Sequence, residues 1–398
     1  MKYNLKINES TYFFGQNDRT KAFFEHLYPL PHGMAYNNYL IKDEKNVLLD
    51  TVDVDMSERF FGQLESALDG EQLDYLIVQH MEPDHSGSIG LVKMRYPNVV
   101  IVGNKKTKGM LEGYGVSTED FLEVDEKTPL NIGSRELHFV FAPMVHWPEV
   151  MVTYDPKEKV LFSADAFGAF GAIDGGFWDY QHDLAAFMPE AHRYYTCIVG
   201  KYGSFVQKTL DRALQLDIEV IAPVHGVVWK KHIPEILELY RKMATYEAEP
   251  GVVMIYGSMY GNTDELAEII GRSLGAHGVD RVVMHHMGHS SASQVISDVF
   301  RYKAVIVGSP TYNNGMWPRV EDVLHQLSER QIPDRLYATF GSGTWNPNTI
   351  KPLEAWCEKQ KNWTKVAESL KISQAPSAED KDKAWEMGRI IAQAVLNN

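Results

Sequence analysis

Residues 78–88 read VQHMEPDHSGS and hold His80, Glu82, Asp84 and His85 directly after the apolar run LDYLIV. All four side chains can bind a metal. His80, Glu82 and Asp84 alternate, so on an extended strand they would share a face. Pro83 and the Ser-Gly-Ser at 86–88 predict instead a loop turning into a helix. A tight loop of this kind can aim adjacent side chains at two neighbouring metal ions. Three more candidates close apolar strands: His146 in MVHWPE, Asp165 in LFSADAFG and His225 in VIAPVHGVVW. A strand ending in a lone His or Asp before a Gly- or Pro-bearing loop is where an α/β fold presents ligands. Three carboxylates nearly neutralise two divalent ions, and four imidazoles complete two partly open coordination spheres. A single histidine is more often a surface or core residue than a ligand, so the ordered set of seven carries the argument. His285, His286 and His289 in MHHMGHS have no such partners and read as a polar loop.

The C-terminal half carries a different chemistry. GSMYGNTDELAE reads as a strand end, then Ser258, Met259, Tyr260, Gly261, Asn262 and Thr263, then a helix beginning near Asp264. Small and hydroxyl residues let backbone N–H groups and the helix N-terminus face an anion. No lysine follows the last glycine, so the loop is not of the Walker type. It suits a monophosphate that is held but not transferred. The loop closely resembles that of the flavodoxins. Two further loops extend the resemblance: Ser309 followed by Pro310, Thr311, Tyr312, Asn313, Asn314 and Gly315, and Phe340-Gly341 followed by Ser342, Gly343, Thr344 and Trp345. In that family these loops embrace an isoalloxazine ring, so the resemblance implies FMN. The third loop departs from the form GSYGWSG at Gly343, Thr344, Asn346 and Pro347 and keeps Trp345.

These loops need elements to hold them. Up to about residue 248 the pattern is short strands with interspersed helices: NNYLIKDEKNVLLDTV reads as two strands, and residues 136–167 as three with a turn at DPKEK. This suits a layered α/β sandwich. HIPEILELYRKMATYEAEP reads as a helix breaking at Glu249-Pro250, a domain boundary. Beyond it, GVVMIYGS, YKAVIVGSPTY and RLYATFGSG alternate with helical segments, which means a parallel sheet covered on both faces. Ligands of such sheets bind outside the carboxyl ends of the strands. SQAPSAEDKDKAW (373–385) reads as a connector to a final amphipathic helix. The expected domains are therefore 1–248 and 251–398.

Bulk properties narrow the partners. With 398 residues the chain is too long for one ordinary core. A formal net charge of −14 argues against nucleic acid and anionic membranes. Cys197 and Cys357 are the only cysteines and form no CxxC pair, which excludes a thiolate zinc, rubredoxin or iron–sulfur site. MKYNLKINES lacks the apolar core of a signal peptide, and no run approaches a membrane span, so the cytoplasm is the expected compartment.

The N-terminal ligand series resembles the metallo-β-lactamase fold, whose hydrolases carry H-x-H-x-D-H followed by a distant His, Asp and His. Glu82 stands where those enzymes have a second histidine. Zinc hydrolases favour imidazole there, whereas a carboxylate is a hard oxygen that stabilises iron in its higher oxidation state. The whole chain resembles a flavodiiron protein. That resemblance implies an αββα metallo-β-lactamase-like sandwich with a non-haem diiron site, followed by a flavodoxin-like doubly wound parallel sheet with FMN. It implies His80, Glu82, His146 and Asp165 on one iron, and Asp84, His85, His225 and the bridging Asp165 on the other. For His85 two positions stay open, ligand or imidazole turned away from the iron. The implied activity is reduction of dioxygen to water, of nitric oxide to nitrous oxide, or both. Tyr194 or Tyr195 would hydrogen-bond to the bound gas or supply a proton, with plain packing as the alternative; Trp147 and Phe170 would wall the pocket. Electrons would come from an external rubredoxin, flavoprotein reductase or reduced deazaflavin, and a head-to-tail homodimer, or a homotetramer built from it, would bring one subunit's flavin to the other's irons. The competing reading is a metal-dependent hydrolase with an accessory flavodoxin domain.

Overall fold

The computed structural model describes residues 5–397. The chain divides into two compact units, Met1–Ala244 and Thr245–Asn398. Among the described residues no helix is long and apolar enough to cross a membrane.

The first unit is built on two sheets. One has seven strands: Leu5–Lys6, Thr11–Asp18, Met34–Ile41 and Val47–Leu49 run antiparallel, and Tyr75–Ile77, Val100–Gly103 and Leu122–Glu123 continue in parallel. The other has five: Leu130–Asn131, Glu136–Phe141, Met151–Asp155 and Val160–Phe162 are antiparallel, and Val220–Ala222 joins in parallel. Period-2 alternation sends Leu137 and Phe139 inward from Glu136–Phe141 while His138 faces out. These residues, with Met151 and Phe162, meet Phe13, Tyr39, Leu49 and Ile77 of the first sheet in one apolar layer. Ser57–Leu68 packs on Thr11–Asp18. Gly203–Ala213 and Ile233–Ala244 pack together over the outer face of the second sheet, where Val206, Leu210 and Tyr240 meet Val140, Val152 and Leu161. This is the αββα sandwich.

The second unit is a parallel sheet in the spatial order Val282–His286, Glu249–Tyr256, Tyr302–Pro310 and Leu336–Gly343, with Thr364–Lys365 and Leu370–Ser373 both paired to the last of these. Numbered along the chain this is 2-1-3-4-5, the flavodoxin-like order. Asn262–Ala276 and Ala378–Leu396 pack together on one face through Ile270, Leu274, Ile391 and Val395. Ala292–Arg301 contacts the strands Glu249–Tyr256 and Tyr302–Pro310 and the helix Pro318–Arg330.

Three local readings change. The helix before the second unit ends at Ala244, and Glu249-Pro250 open a strand instead of breaking a helix. Proline is tolerated there because it stands near the strand's beginning. The supposed connector 373–385 is helical from Ala378: the Ser377 hydroxyl accepts from the Asp380 amide at 3.2 Å, and the Asp380 carboxylate accepts from the Ser377 amide at 3.0 Å. That reciprocal capping box outweighs the polar composition. His285 and His286 lie in a strand, not a loop, and the buried His285 is held by Asp298 at 2.8 Å.

Candidate functional site

The segment 78–88 leaves the strand Tyr75–Ile77 as a loop and turns into the one-turn helix Pro83–Ser86, with proline at its first position. Gln79 pins the loop to both sheets. Its amide donates to Asp50 Oδ1 (2.7 Å), its side chain donates to Asp50 Oδ2 (2.9 Å), and its Oε1 accepts from the Thr153 amide (3.0 Å). Thr51 holds the far end by donating through both amide and hydroxyl to the His85 carbonyl, at 2.8 and 2.6 Å. His146, Asp165 and His225 arrive on loops after the strands Glu136–Phe141, Val160–Phe162 and Val220–Ala222.

The seven side chains converge in two groups, His80/Glu82/His146/Asp165 and Asp84/His85/His225. In the first, His146 Nε2 is 3.0 Å from Glu82 Oε2, and His80 Nε2 lies 3.4 Å from both Glu82 Oε2 and His146 Nε2. In the second, Asp84 is 3.2 Å from both His85 Nε2 and His225 Nε2. Asp165 spans the two. Its Oδ2 is 3.2 Å from His80 and 3.3 Å from His146, and its Oδ1 is 3.0 Å from His85 and 3.6 Å from His225.

This donor set fits a pair of cations. Both oxygens of Asp84, Oδ2 of Asp165 and Nε2 of His225 are buried without a hydrogen-bond partner among the described residues. Such orphaned atoms are costly unless something binds them. Two imidazoles are also set in the ligating tautomer from behind: His80 Nδ1 bonds Glu149 Oε1 at 2.8 Å, and His225 Nδ1 bonds the Ala35 carbonyl at 2.7 Å. With the proton on Nδ1, each Nε2 lone pair points into the site. Burial pushes the imidazole pKa values down, yet the carboxylates overcome it. Asp84 and Asp165 raise His85 to about 9, Asp165 and Glu82 raise His146 to about 9, and Asp165 and Glu149 hold His80 well above its usual value. Against the same burial, histidines hold Glu82 and Asp165 far below the usual carboxylate range. A site this hungry for protons is one in which metal cations take their place.

Tyr194 is fully buried with its ring 5.6 Å from His225, and its hydroxyl has no hydrogen-bond partner among the described residues. Tyr195, one residue on, packs its ring on Tyr240 at 4.9 Å. Trp147 meets His80 edge-on at 5.3 Å, and Phe170 meets Tyr194 at 5.1 Å.

In the second unit three loops line a cavity of 430 Å³. Its wall includes every cofactor residue picked from the sequence except Gly261 and Gly315, and adds Asn346. The first loop closes on Ser258 Oγ, which accepts from the Gly261 and Asp264 amides at 3.1 and 3.3 Å. Gly261 caps the helix Asn262–Ala276 at φ 97°, a conformation that favours glycine. Thr263 and Ser342 hydroxyls pair at 2.8 Å, and the Thr311 amide donates to the Ser342 carbonyl at 2.7 Å, tying the loops together. The Thr311 hydroxyl is buried with no partner among the described residues, while Tyr260 and Trp345 stand 93% and 90% exposed at the cavity. An unpaired hydroxyl beside bare aromatic faces fits a planar, phosphate-bearing ligand such as FMN. The departure at Gly343 has a steric reason: a Cβ there would lie 2.6 Å from Pro347 Cα.

Comparison with known proteins follows the same division. The ODP family beta lactamase model matches residues 34–226, and the flavodoxin model matches 254–388. A nitric oxide reductase from Moorella thermoacetica is 31% identical over 401 residues, covering 100% of both chains. The chain belongs to the flavodiiron protein family. Among solved structures, the rubredoxin oxygen:oxidoreductase of Desulfovibrio gigas superposes with a TM-score of 0.94 at 27% identity over 99% of each chain. A flavo di-iron protein mutant from Thermotoga maritima superposes at 0.90 with 25% identity, covering 99% of this chain and 98% of that one.

Several residues of this flavodiiron site escaped the sequence reading. Glu149 holds His80 and also accepts from the Met81 amide at 2.9 Å; the MVHWPE motif contained it, but nothing in the motif marks a residue that acts from behind a ligand. The Ala35 carbonyl carries no side-chain signal at all. Glu25 lies beside Glu82, and burial together with that carboxylate pushes its own carboxyl up to about 7.

Proposed function

We infer that this flavodiiron protein reduces dioxygen to water, nitric oxide to nitrous oxide, or both, at a pair of iron ions fed through FMN from an external donor. The observation that carries the reading is the placement of Asp165, one carboxylate with an oxygen turned to each of two histidine pairs. Sharing of this kind is what a two-metal site needs. His80, Glu82, His146 and Asp165 would hold one iron, and Asp84, His85, His225 and the same Asp165 the other. When bound, the irons and the flavin would supply the electrons, four per dioxygen or two per pair of nitric oxide molecules, and as many protons are taken up from the surrounding water.

The chain's own groups supply the rest. Glu149 and the Ala35 carbonyl orient two imidazoles, and the Glu82 carboxylate favours iron over zinc. The Tyr194 hydroxyl, kept protonated by burial and by Asp165, can donate a hydrogen bond to the gas. Trp147 against His80 and Phe170 against Tyr194 add apolar wall beside the site. The names of the relatives support both gases, one being a nitric oxide reductase and another an oxygen:oxidoreductase. We further infer a cytoplasmic, head-to-tail homodimer or a homotetramer built from it, because a flavin must come close to the irons of each site. Its donor would be a separate rubredoxin, flavoprotein reductase or reduced deazaflavin.

The test is metal and flavin analysis followed by consumption of each gas by the reduced protein. About two irons and one FMN per chain, with rapid re-oxidation by either gas, is expected. Zinc in the site, with hydrolysis that ignores the flavin, would end this reading in favour of the hydrolase.

A further inference from the structure

A small cavity lies on the outer face of the second sheet of the N-terminal unit, where the helices Gly203–Ala213 and Ile233–Ala244 cover it. Its volume is 20 Å³, room for about one small molecule. The inner wall includes Val145 and Ala166, the chain neighbours of His146 and Asp165. Val140, Thr209 and Leu216 also line it and are partly exposed. The lining therefore joins partly exposed residues to the chain neighbours of His146 and Asp165.

Its lining decides what it can hold. Only three residues bring hydroxyls, and each is engaged with backbone. Ser163 Oγ donates to the Ala166 carbonyl at 2.7 Å, Thr209 Oγ1 donates to the Phe205 carbonyl at 3.1 Å, and the Tyr240 oxygen accepts from the Phe167 amide at 2.6 Å. A buried water needs two to four polar partners, whereas apolar cavities stay dry and accept apolar guests. Charged or hydrogen-bonding substrates are excluded on the same ground. A sparingly soluble diatomic gas has the right size and the right lack of polarity.

We propose that this cavity is a docking site for the apolar diatomic gas, dioxygen or nitric oxide, on its way to the metal centre. The proposal rests on the functional reading above for the identity of its guest. It does not rest on it for the existence of the site.

Crystals of the intact holoprotein pressurised with krypton give the direct test, since krypton is an apolar atom of comparable size with anomalous scattering. One krypton atom between Val152, Val206 and Ala166 is expected. Val206→Ile and Ala213→Val each add bulk to the cavity from the covering helix and should abolish that density. The same variants should raise the KM for the gas about threefold or more while kcat at saturating gas stays unchanged. A rise confined to dioxygen or to nitric oxide identifies which gas docks. Native crystals without krypton here would overturn the proposal, as would variants that lose krypton while KM for both gases stays put. A variant that lowers kcat alone would also overturn it, because it would show a packing role. Krypton in the cavity of a chain that reduces neither gas would uphold the apolar site and sink the functional reading alone.

Discussion

His85 turns its Nε2 into the site, 3.0 Å from Oδ1 of Asp165. Of the two positions open to this imidazole from the sequence, the structure has the inward one. The Thr51 bonds to the His85 carbonyl fix the backbone from which the ring projects. Asp165 is thereby flanked by imidazoles on both oxygens, which makes the group sensitive to any change in its charge balance.

Glu82→His should move the site towards zinc. It replaces the hard oxygen beside His146 with a nitrogen donor and removes one negative charge. Elemental analysis should show iron falling and zinc rising. Gas reduction per chain should drop by roughly tenfold or more.

Glu149→Ala leaves all seven proposed ligands in place but frees His80 to rotate and take the other tautomer. Iron release to a chelator should become about 10- to 100-fold more favourable. Circular dichroism of the metal-free protein should stay native-like if the effect lies in the ligand and not in the fold.

Stripping the metals should make stability depend on pH in a specific sense. His85 and His146 have folded pKa values raised to about 9. Their contribution is thus fully present below the unfolded value of about 6.5 and is lost as pH rises through about 9. Glu82 and Asp165, with depressed folded values, contribute above the unfolded carboxylate range and lose that contribution in acid. The metal-free protein should therefore melt earlier at pH 9 than at pH 6.5. Adding ferrous iron at pH 9 should restore the melting temperature, and an unchanged melting temperature across this window would refute the account.

Trp345→Ala should weaken FMN. The exposed indole at the cavity is available for stacking, and a lost aromatic contact costs about 0.5–1.5 kcal/mol. Fluorescence titration of flavin-free protein should show a Kd raised by roughly two- to tenfold. Thr263→Val, which breaks the hydroxyl pair with Ser342, should act in the same direction without removing an aromatic face.

The readable and unreadable parts of this protein divide on physical lines. Strands such as Glu136–Phe141 and Tyr302–Pro310 were legible because burial of apolar side chains imposes a pattern on the chain itself. The seven metal-type residues and the three flavin-type loops were legible for a related reason: each stands at a strand end, where the chain must turn and can present a side chain. The Ser377 cap was written in the sequence too, as a serine three residues before an aspartate, but polar composition masked it. What no local pattern could reveal is how distant segments are set against one another. The inward turn of His85, the hold of Glu149 on His80 across 69 positions, the Ala35 carbonyl behind His225 and the apolar cavity under two helices arise only when separate loops and layers close together. The chemistry of a side chain belongs to its residue type, whereas its direction, tautomer and proton affinity are set by neighbours that only the folded chain brings within a few ångströms.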